Sequence, residues 1–125
     1  MKTLSTTKAP AAIGPYSQGT EAGGMVFVSG QLPIDPATGE FAQGGIKAEA
    51  RQSLTNIKNI LSEAGLSMKD VVKVTVLMAD IKDFAAINEV YAEFFEAPYP
   101  ARSAFAVAAL PKGANVEIEA IAAKQ

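Results

Sequence analysis

The chain has 125 residues, of which 49% are hydrophobic and 19% charged, with a net charge of −2 from 11 basic and 13 acidic side chains. This length predicts a single domain over residues 1–125, and the slightly acidic balance argues against a nucleic-acid partner. Because the chain has no cysteine and no histidine, disulfides, thiolate nucleophiles, the usual zinc sites and histidine bases are excluded.

The N-terminal third predicts a hairpin followed by a loop. The N-terminus lacks a signal-peptide core and no apolar run in the chain could span a bilayer, so a cytoplasmic location without a membrane partner is expected. Residues 18–21 and 25–28 flank a Gly-Gly turn and predict two paired strands. Residues 32–45 contain two prolines and three glycines, which is typical of an ordered loop.

Two helices and a central strand are predicted next. Apolar residues recur at helical spacing over 46–64, where Gly65 is placed to end the helix, and again over 84–95. Between them, the β-branched run at 70–78 predicts a central strand buried on both faces.

Two further strands complete the chain, near residues 102–109 and 116–123. Two helices can cover only one face of the resulting sheet. The other face is expected to carry Arg102, a row of alanines and alternating glutamates, and to be buried against another copy of the chain.

Arg102 and Glu117 are the main candidate site residues. An arginine beside small alanine side chains leaves room for a small anionic guest, and its planar fork fits a carboxylate. The alternative is that Arg102 and Glu117 form a salt bridge that orders the sheet, with Glu119 as the rival carboxylate. In a simple hairpin Glu117 would lie about 20 Å along the strand from Arg102. If the two act together, another strand intervenes or they meet across a subunit boundary.

Three other features carry weaker signals. Tyr16 in a Gly-Pro loop is either a packing residue or a cap on a site. Asn88 on the second helix is either a structural hydrogen-bonding residue or a ligand contact. The Ser29-Gly30 pair could offer backbone N–H groups to an anion.

Several separated motifs in a fixed order resemble the Rid (reactive intermediate deaminase, or YjgF) family over nearly the full length. The motifs are Gly14-Pro15-Tyr16-Ser17-Gln18, Val28-Ser29-Gly30-Gln31, Asn88-Glu89-Val90-Tyr91, Pro100-Ala101-Arg102-Ser103 and Val116-Glu117-Ile118-Glu119-Ala120-Ile121-Ala122.

The resemblance implies an α+β, chorismate-mutase-like fold with two helices on one face of the sheet. It also implies a homotrimer with a ligand cleft at each subunit interface, and last strands that are not neighbours. The implied reaction is hydrolysis of 2-imino acids, such as 2-iminobutanoate and 2-iminopropanoate, to 2-oxo acids and ammonia, with no metal and no cofactor.

The resemblance also implies roles for individual residues. Arg102 would hold the substrate carboxylate and Glu117 would position or activate water, while Tyr16 would come from the neighbouring subunit. Ala104 replaces a cysteine common in the family, and its backbone carbonyl is expected to hold the attacking water. The implied substrate-binding residues are Tyr16, Ser29, Gly30, Asn88, Arg102 and Ala104.

Two other functions stay open. A non-catalytic pocket that binds or senses small carboxylates such as 2-oxo acids would need Arg102 but not Glu117. An endoribonuclease or translation inhibitor is the third possibility. The acidic balance, the single arginine at the site and the lack of a histidine pair argue against RNA cleavage.

Overall fold

In the computed structural model, which describes all 125 residues, eight strands and two α-helices follow one another along the chain. Six strands form one mixed sheet and the other two pair separately as a hairpin. The elements are β1 (Lys2–Leu4), β2 (Gly19–Ala22), β3 (Met25–Gln31), β4 (Ile34–Asp35), β5 (Glu40–Phe41), α1 (Ile46–Glu63), β6 (Val71–Met78), α2 (Phe84–Phe94), β7 (Ala101–Ala106) and β8 (Val116–Ala123).

Strand β8 is inserted at the centre of the sheet, whose order is β1-β2-β3-β8-β6-β7. It pairs antiparallel with β3 on one side and with β6 on the other, while β7 pairs parallel with β6 at the edge. The last two strands are therefore not neighbours, and the simple hairpin considered from the sequence is excluded. The α+β class and the mixed sheet with two helices are confirmed.

The core lies between the two helices and one face of the sheet. On the strands of this face, alternate residues are buried, because successive side chains of a strand point to opposite faces. They meet the apolar stripes of both helices in one cluster of 21 buried residues. Its largest fully buried members are Leu54, Ile57, Ile60, Leu61, Met78, Ile87 and Ile118.

Strand β6 is central, as predicted, but only one of its faces is buried. Val74, Val76 and Met78 are at most 1% exposed, whereas the side chains on the opposite face, among them Leu77, are half-buried. The register shifts between Val71 and Lys73, which leaves Val72 outside the core face. The prediction of burial on both faces is wrong for the single chain, because both helices pack on the same side.

Helix α1 ends at a glycine, as its sequence predicts. The N–H of Leu66 donates to the carbonyl of Leu61 and the N–H of Gly65 donates to that of Ser62, both at 3.0 Å. Gly65 has a φ of +73°, the left-handed conformation that this helix-ending motif requires. Gly65 follows the capping residue Ala64 instead of being the cap itself. Neither helix is both long and apolar enough to cross a membrane.

The segment 32–45 is more regular than a loop, because it contains the β4–β5 hairpin. Two-residue strands are too short to show an alternating pattern, so the sequence gives no signal for them. The buried side chain of Asn56 fixes this segment to α1. Its amide donates to the carbonyls of Leu32 at 3.3 Å and Ile34 at 2.9 Å.

Candidate active site

Arg102 lies on the edge strand β7, with its side chain on the helix side of the sheet. In the parallel register it is opposite Val74, a residue of the buried face. Its Nη1 donates a 2.7 Å hydrogen bond to Oδ1 of Asn88 on α2. The expectation that Arg102 occupies the uncovered face is wrong. The register of β7 on β6 determines the face, and this pairing joins residues far apart in sequence.

Two aromatic rings of α2 complete the surroundings of the guanidinium. Its central carbon lies 4.7 Å from the ring centre of Tyr91 and 5.4 Å from that of Phe84, within the range of cation–π attraction. Burial raises the pKa of the Tyr91 hydroxyl, although the nearby Arg102 opposes this shift. From the sequence, the helical spacing of Phe84 and Tyr91 predicts only that both rings belong to the apolar stripe of the helix. Their spacing from Asn88 is the signal that could have placed them beside Arg102.

No carboxylate of the same chain is paired with Arg102. The ion pairs of the chain join Lys47 to Glu89, Arg51 to Glu93, Lys69 to Glu96 and Lys124 to Glu21. The acidic residues of α2 are thus paired with basic residues of α1. Arg102 keeps an uncompensated positive charge on an exposed side chain, an arrangement that favours an anionic ligand.

Ala104 lies two residues along β7 from Arg102 and on the same face, opposite Val76. It is half-buried and packs against the core. The alanine row predicted beside the arginine is therefore present on the helix side of the sheet, where Ala106 continues it.

Glu117 lies on β8 and on the opposite, helix-free face, where it pairs with Leu77 of β6. Partial burial, reinforced by the carboxylate of Glu119, raises the pKa of Glu117 above that of an ordinary glutamate. Its carboxylate is directly beside Gly30. A Cβ atom at Gly30 would overlap with Oε2 of Glu117. The glycine therefore gives Glu117 the space it occupies.

Ser29 belongs to the same region as Glu117, and two hydrogen bonds join it to the segment that follows Tyr16. The hydroxyl of Ser29 donates to the carbonyl of Ser17 at 2.6 Å, and the Ser29 N–H donates to the carbonyl of Gln18 at 3.0 Å. Ser29 and Gly30 interrupt the regular pairing of β3 with β8, so the backbone bends beside the carboxylate. Tyr16, next to Ser17, is 54% exposed. This makes it a poor candidate for a packing residue of the single chain.

The predicted residues thus form two groups, which the single chain does not bring together. Asn88, Arg102 and Ala104 form the arginine group. Ser29, Gly30 and Glu117 form the glutamate group, to which Tyr16 is linked only through the adjoining Ser17. Arg102 is opposite Val74 and Glu117 is opposite Leu77 of the same strand. The two are separated by β6, by about 10 Å along it, and by the thickness of the sheet. A salt bridge between them within one chain is therefore excluded.

The molecule has two surface cavities, of about 590 and 630 Å³. Neither is lined by Arg102, Ala104 or Glu117, although Tyr16 and Ser17 line the second. No three acidic side chains converge as metal ligands would.

Known proteins are similar to this chain over almost its whole length. The family model described as endoribonuclease L-PSP matches residues 6–124. A goat (Capra hircus) protein named 2-iminobutanoate/2-iminopropanoate deaminase is 57% identical over 119 residues, which are 95% of this chain and 87% of the relative.

Solved structures superpose closely. The structure of TdcF from E. coli with bound serine has a TM-score of 0.95 at 51% identity and covers 100% of both chains. RidA from the Antarctic bacterium Psychrobacter sp. has a TM-score of 0.94 at 51% identity, over 98% of this chain and 99% of that one.

Proposed function

The chain belongs to the Rid family, and we propose that it is a 2-iminobutanoate/2-iminopropanoate deaminase, which hydrolyses reactive 2-imino acids to 2-oxo acids and ammonia. The observation that carries the proposal is the uncompensated guanidinium of Arg102, held beside small and aromatic side chains. A 51% identical relative is known with bound serine, a small molecule that carries the carboxylate an arginine fork would hold.

The chemistry needs positioning more than a strong base. A protonated imine is already electrophilic, so water adds to its C2 carbon to give a carbinolamine, which loses ammonia and leaves the 2-oxo acid. Arg102 would hold the carboxylate bidentately while Glu117 and the carbonyl of Ala104 orient the water. The raised pKa of Glu117 makes it a better acceptor for the proton of that water. No step requires a metal or an organic cofactor.

A second copy of the chain would complete the site. The arginine group lies at a free sheet edge and the glutamate group lies on the uncovered face. That face and edge expose large apolar side chains, with Phe27 43% and Phe105 47% exposed. We infer a homotrimer in which Glu117 and Tyr16 of one subunit meet Arg102 of the next. Such a ring would cover the exposed phenylalanines and close three equivalent sites.

Replacing the arginine tests the proposal directly. Arg102→Ala should lower kcat/KM for 2-iminobutanoate at least about 100-fold, because the charge-assisted bonds to the carboxylate are lost. The measurement uses a dehydratase to generate the imine and follows how much semicarbazone formation the enzyme suppresses.

Lys58→Ala is the matched control, since it removes an exposed positive charge that makes no ion pair. It should leave kcat/KM unchanged. Full activity of the Arg102→Ala protein, with the assembly intact, would refute the role of Arg102.

A further inference from the structure

We propose that one face of α2, formed by Phe84, Asn88 and Tyr91, holds the Arg102 guanidinium through neutral groups alone, and so determines the direction of the substrate-binding fork and leaves its charge uncancelled within its own subunit. We call these three side chains the arginine cradle. The inference rests on the proposed function. It makes Asn88 a positioning residue that acts through Arg102, instead of the direct substrate contact implied by the family resemblance.

The cradle residues contact only part of the guanidinium and leave some of its N–H groups without a partner. Its members are four and three residues apart, so they share one helix face. Asn88 accepts one hydrogen bond from Nη1, and the two rings lie 4.7 and 5.4 Å from the central carbon. Nε and Nη2 donate to no other group of the chain. One edge of the fork is therefore oriented and still free to bind a carboxylate.

The neutrality of the cradle matters as much as its shape. An amide oxygen accepts a hydrogen bond from arginine as a carboxylate does, but it adds no negative charge. An aspartate at position 88 would hold the guanidinium equally well and cancel its charge before the substrate arrives. The neighbouring carboxylates of Glu89 and Glu93 are bound to Lys47 and Arg51 of α1, and so do not neutralise Arg102 either.

The substitution Asn88→Asp separates charge from shape. Binding of 2-oxobutanoate, a stable 2-oxo acid, should weaken about tenfold or more by titration calorimetry, because the fork is already neutralised. Asn59→Asp makes the same amide-to-carboxylate change on α1, where the amide donates to the carbonyl of Lys8. This control should bind within about twofold of the wild type. Equal binding by Asn88→Asp and the wild type would overturn the proposal.

A double-mutant cycle tests whether Asn88 acts through Arg102. Asn88→Ala should lower kcat/KM about tenfold in the wild type but less than about twofold in the Arg102→Lys background, since lysine has no planar fork to orient. If the loss is the same in both backgrounds, Asn88 contacts the substrate itself and is not a positioning residue.

The ring of Tyr91 is tested by rescue. Tyr91→Leu should raise KM about three- to fivefold by removing the cation–π contact, and Tyr91→Phe, which keeps the ring, should restore it. Identical KM values for Tyr91→Leu and Tyr91→Phe would show that the ring of Tyr91 does not help to hold Arg102.

Failure of the cradle and failure of the proposed function give different results. If Arg102→Ala abolishes turnover while the Asn88 and Tyr91 variants behave like the wild type, only the cradle is wrong. If Arg102→Ala is fully active, the proposed function of the site is wrong as well.

Discussion

At the level of single residues, Arg102 and Glu117 differ in whether their surroundings favour the charged form of the side chain. Arg102 is exposed and has only neutral partners, so its charge is available to a ligand. Glu117 is partly withdrawn from water and lies beside a second carboxylate, so its ionised form is disfavoured. In the proposed reaction, Arg102 would bind the substrate carboxylate, and Glu117 would accept the proton of the water that adds to the imine.

The raised pKa of Glu117 has a consequence for stability. An unfolded glutamate has a pKa of about 4.3. Between this pH and the raised pKa of Glu117 in the folded protein, the folded chain binds more protons than the unfolded chain does. Stability is therefore lost as the pH rises through this window. Glu117→Gln should make the protein more stable at neutral pH, and the gain should vanish below about pH 4. Urea unfolding over a pH series measures this difference.

The same variant should lose activity. Glu117→Gln should lower kcat about 100-fold or more, because the amide cannot accept the proton of the attacking water. Binding of 2-oxobutanoate should change little, since Arg102 is intact. Retained binding with lost turnover separates an enzyme from a carboxylate sensor, whereas retained turnover would show that Glu117 is not catalytic. In the wild type, kcat should fall as the pH drops through the raised pKa of Glu117.

At the level of secondary-structure elements, two glycines have different structural functions. Gly65 lets α1 end in a left-handed residue, with open space around the position of its missing Cβ. Gly30 interrupts the pairing of β3 with β8 and leaves room for the Glu117 carboxylate. The first therefore serves the helix and the second serves the site.

Paired alanine substitutions test this distinction. Gly65→Ala should cost about 1 kcal/mol in unfolding free energy through the strained left-handed backbone and leave kcat/KM unchanged. Gly30→Ala should displace the flexible end of Glu117, with little loss of stability but a fall in kcat of about 100-fold. Thermal unfolding and the imine assay measure both quantities. Normal turnover by Gly30→Ala would show that the position of Glu117 is not critical.

At the scale of the whole molecule, the two groups of site residues lie on opposite faces and on strands separated by β6. No side-chain rotation within one chain can bring Glu117 to a ligand held by Arg102, because the sheet lies between them. In the homotrimer that we propose, each group would come from a different subunit, which removes this obstacle.

Mixing inactive subunits tests this arrangement. Arg102→Ala and Glu117→Gln should each be inactive alone, but equal amounts refolded together should recover about a quarter of wild-type activity, since one interface in four then pairs an intact Arg102 with an intact Glu117. Refolding either variant alone is the control. No recovery from mixed trimers, whose subunit composition is verified by native mass spectrometry, would show that the two residues do not act together across an interface.

The elements themselves could be predicted from the sequence because their signals are local. Helical spacing of apolar residues located both helices, and the alternating run from Val116 to Ala123 predicted β8 with the bounds it has. The β4–β5 hairpin was missed because two residues cannot display a period. The site residues were singled out by charge, by small neighbours and by family motifs, none of which depends on long-range pairing.

The amino-acid composition limits which chemistry is available, since a chain without cysteine and histidine is left with Arg, Lys, Glu, Asp, Tyr, Ser, backbone groups and water. Three further facts come from the fold: β6 separates the last two strands, Arg102 faces α2, and Glu117 faces the open side of the sheet. Strand order and register join residues distant in sequence, and a shift of one position turns every side chain to the other face. For this reason, only the folded chain shows which groups can share a ligand.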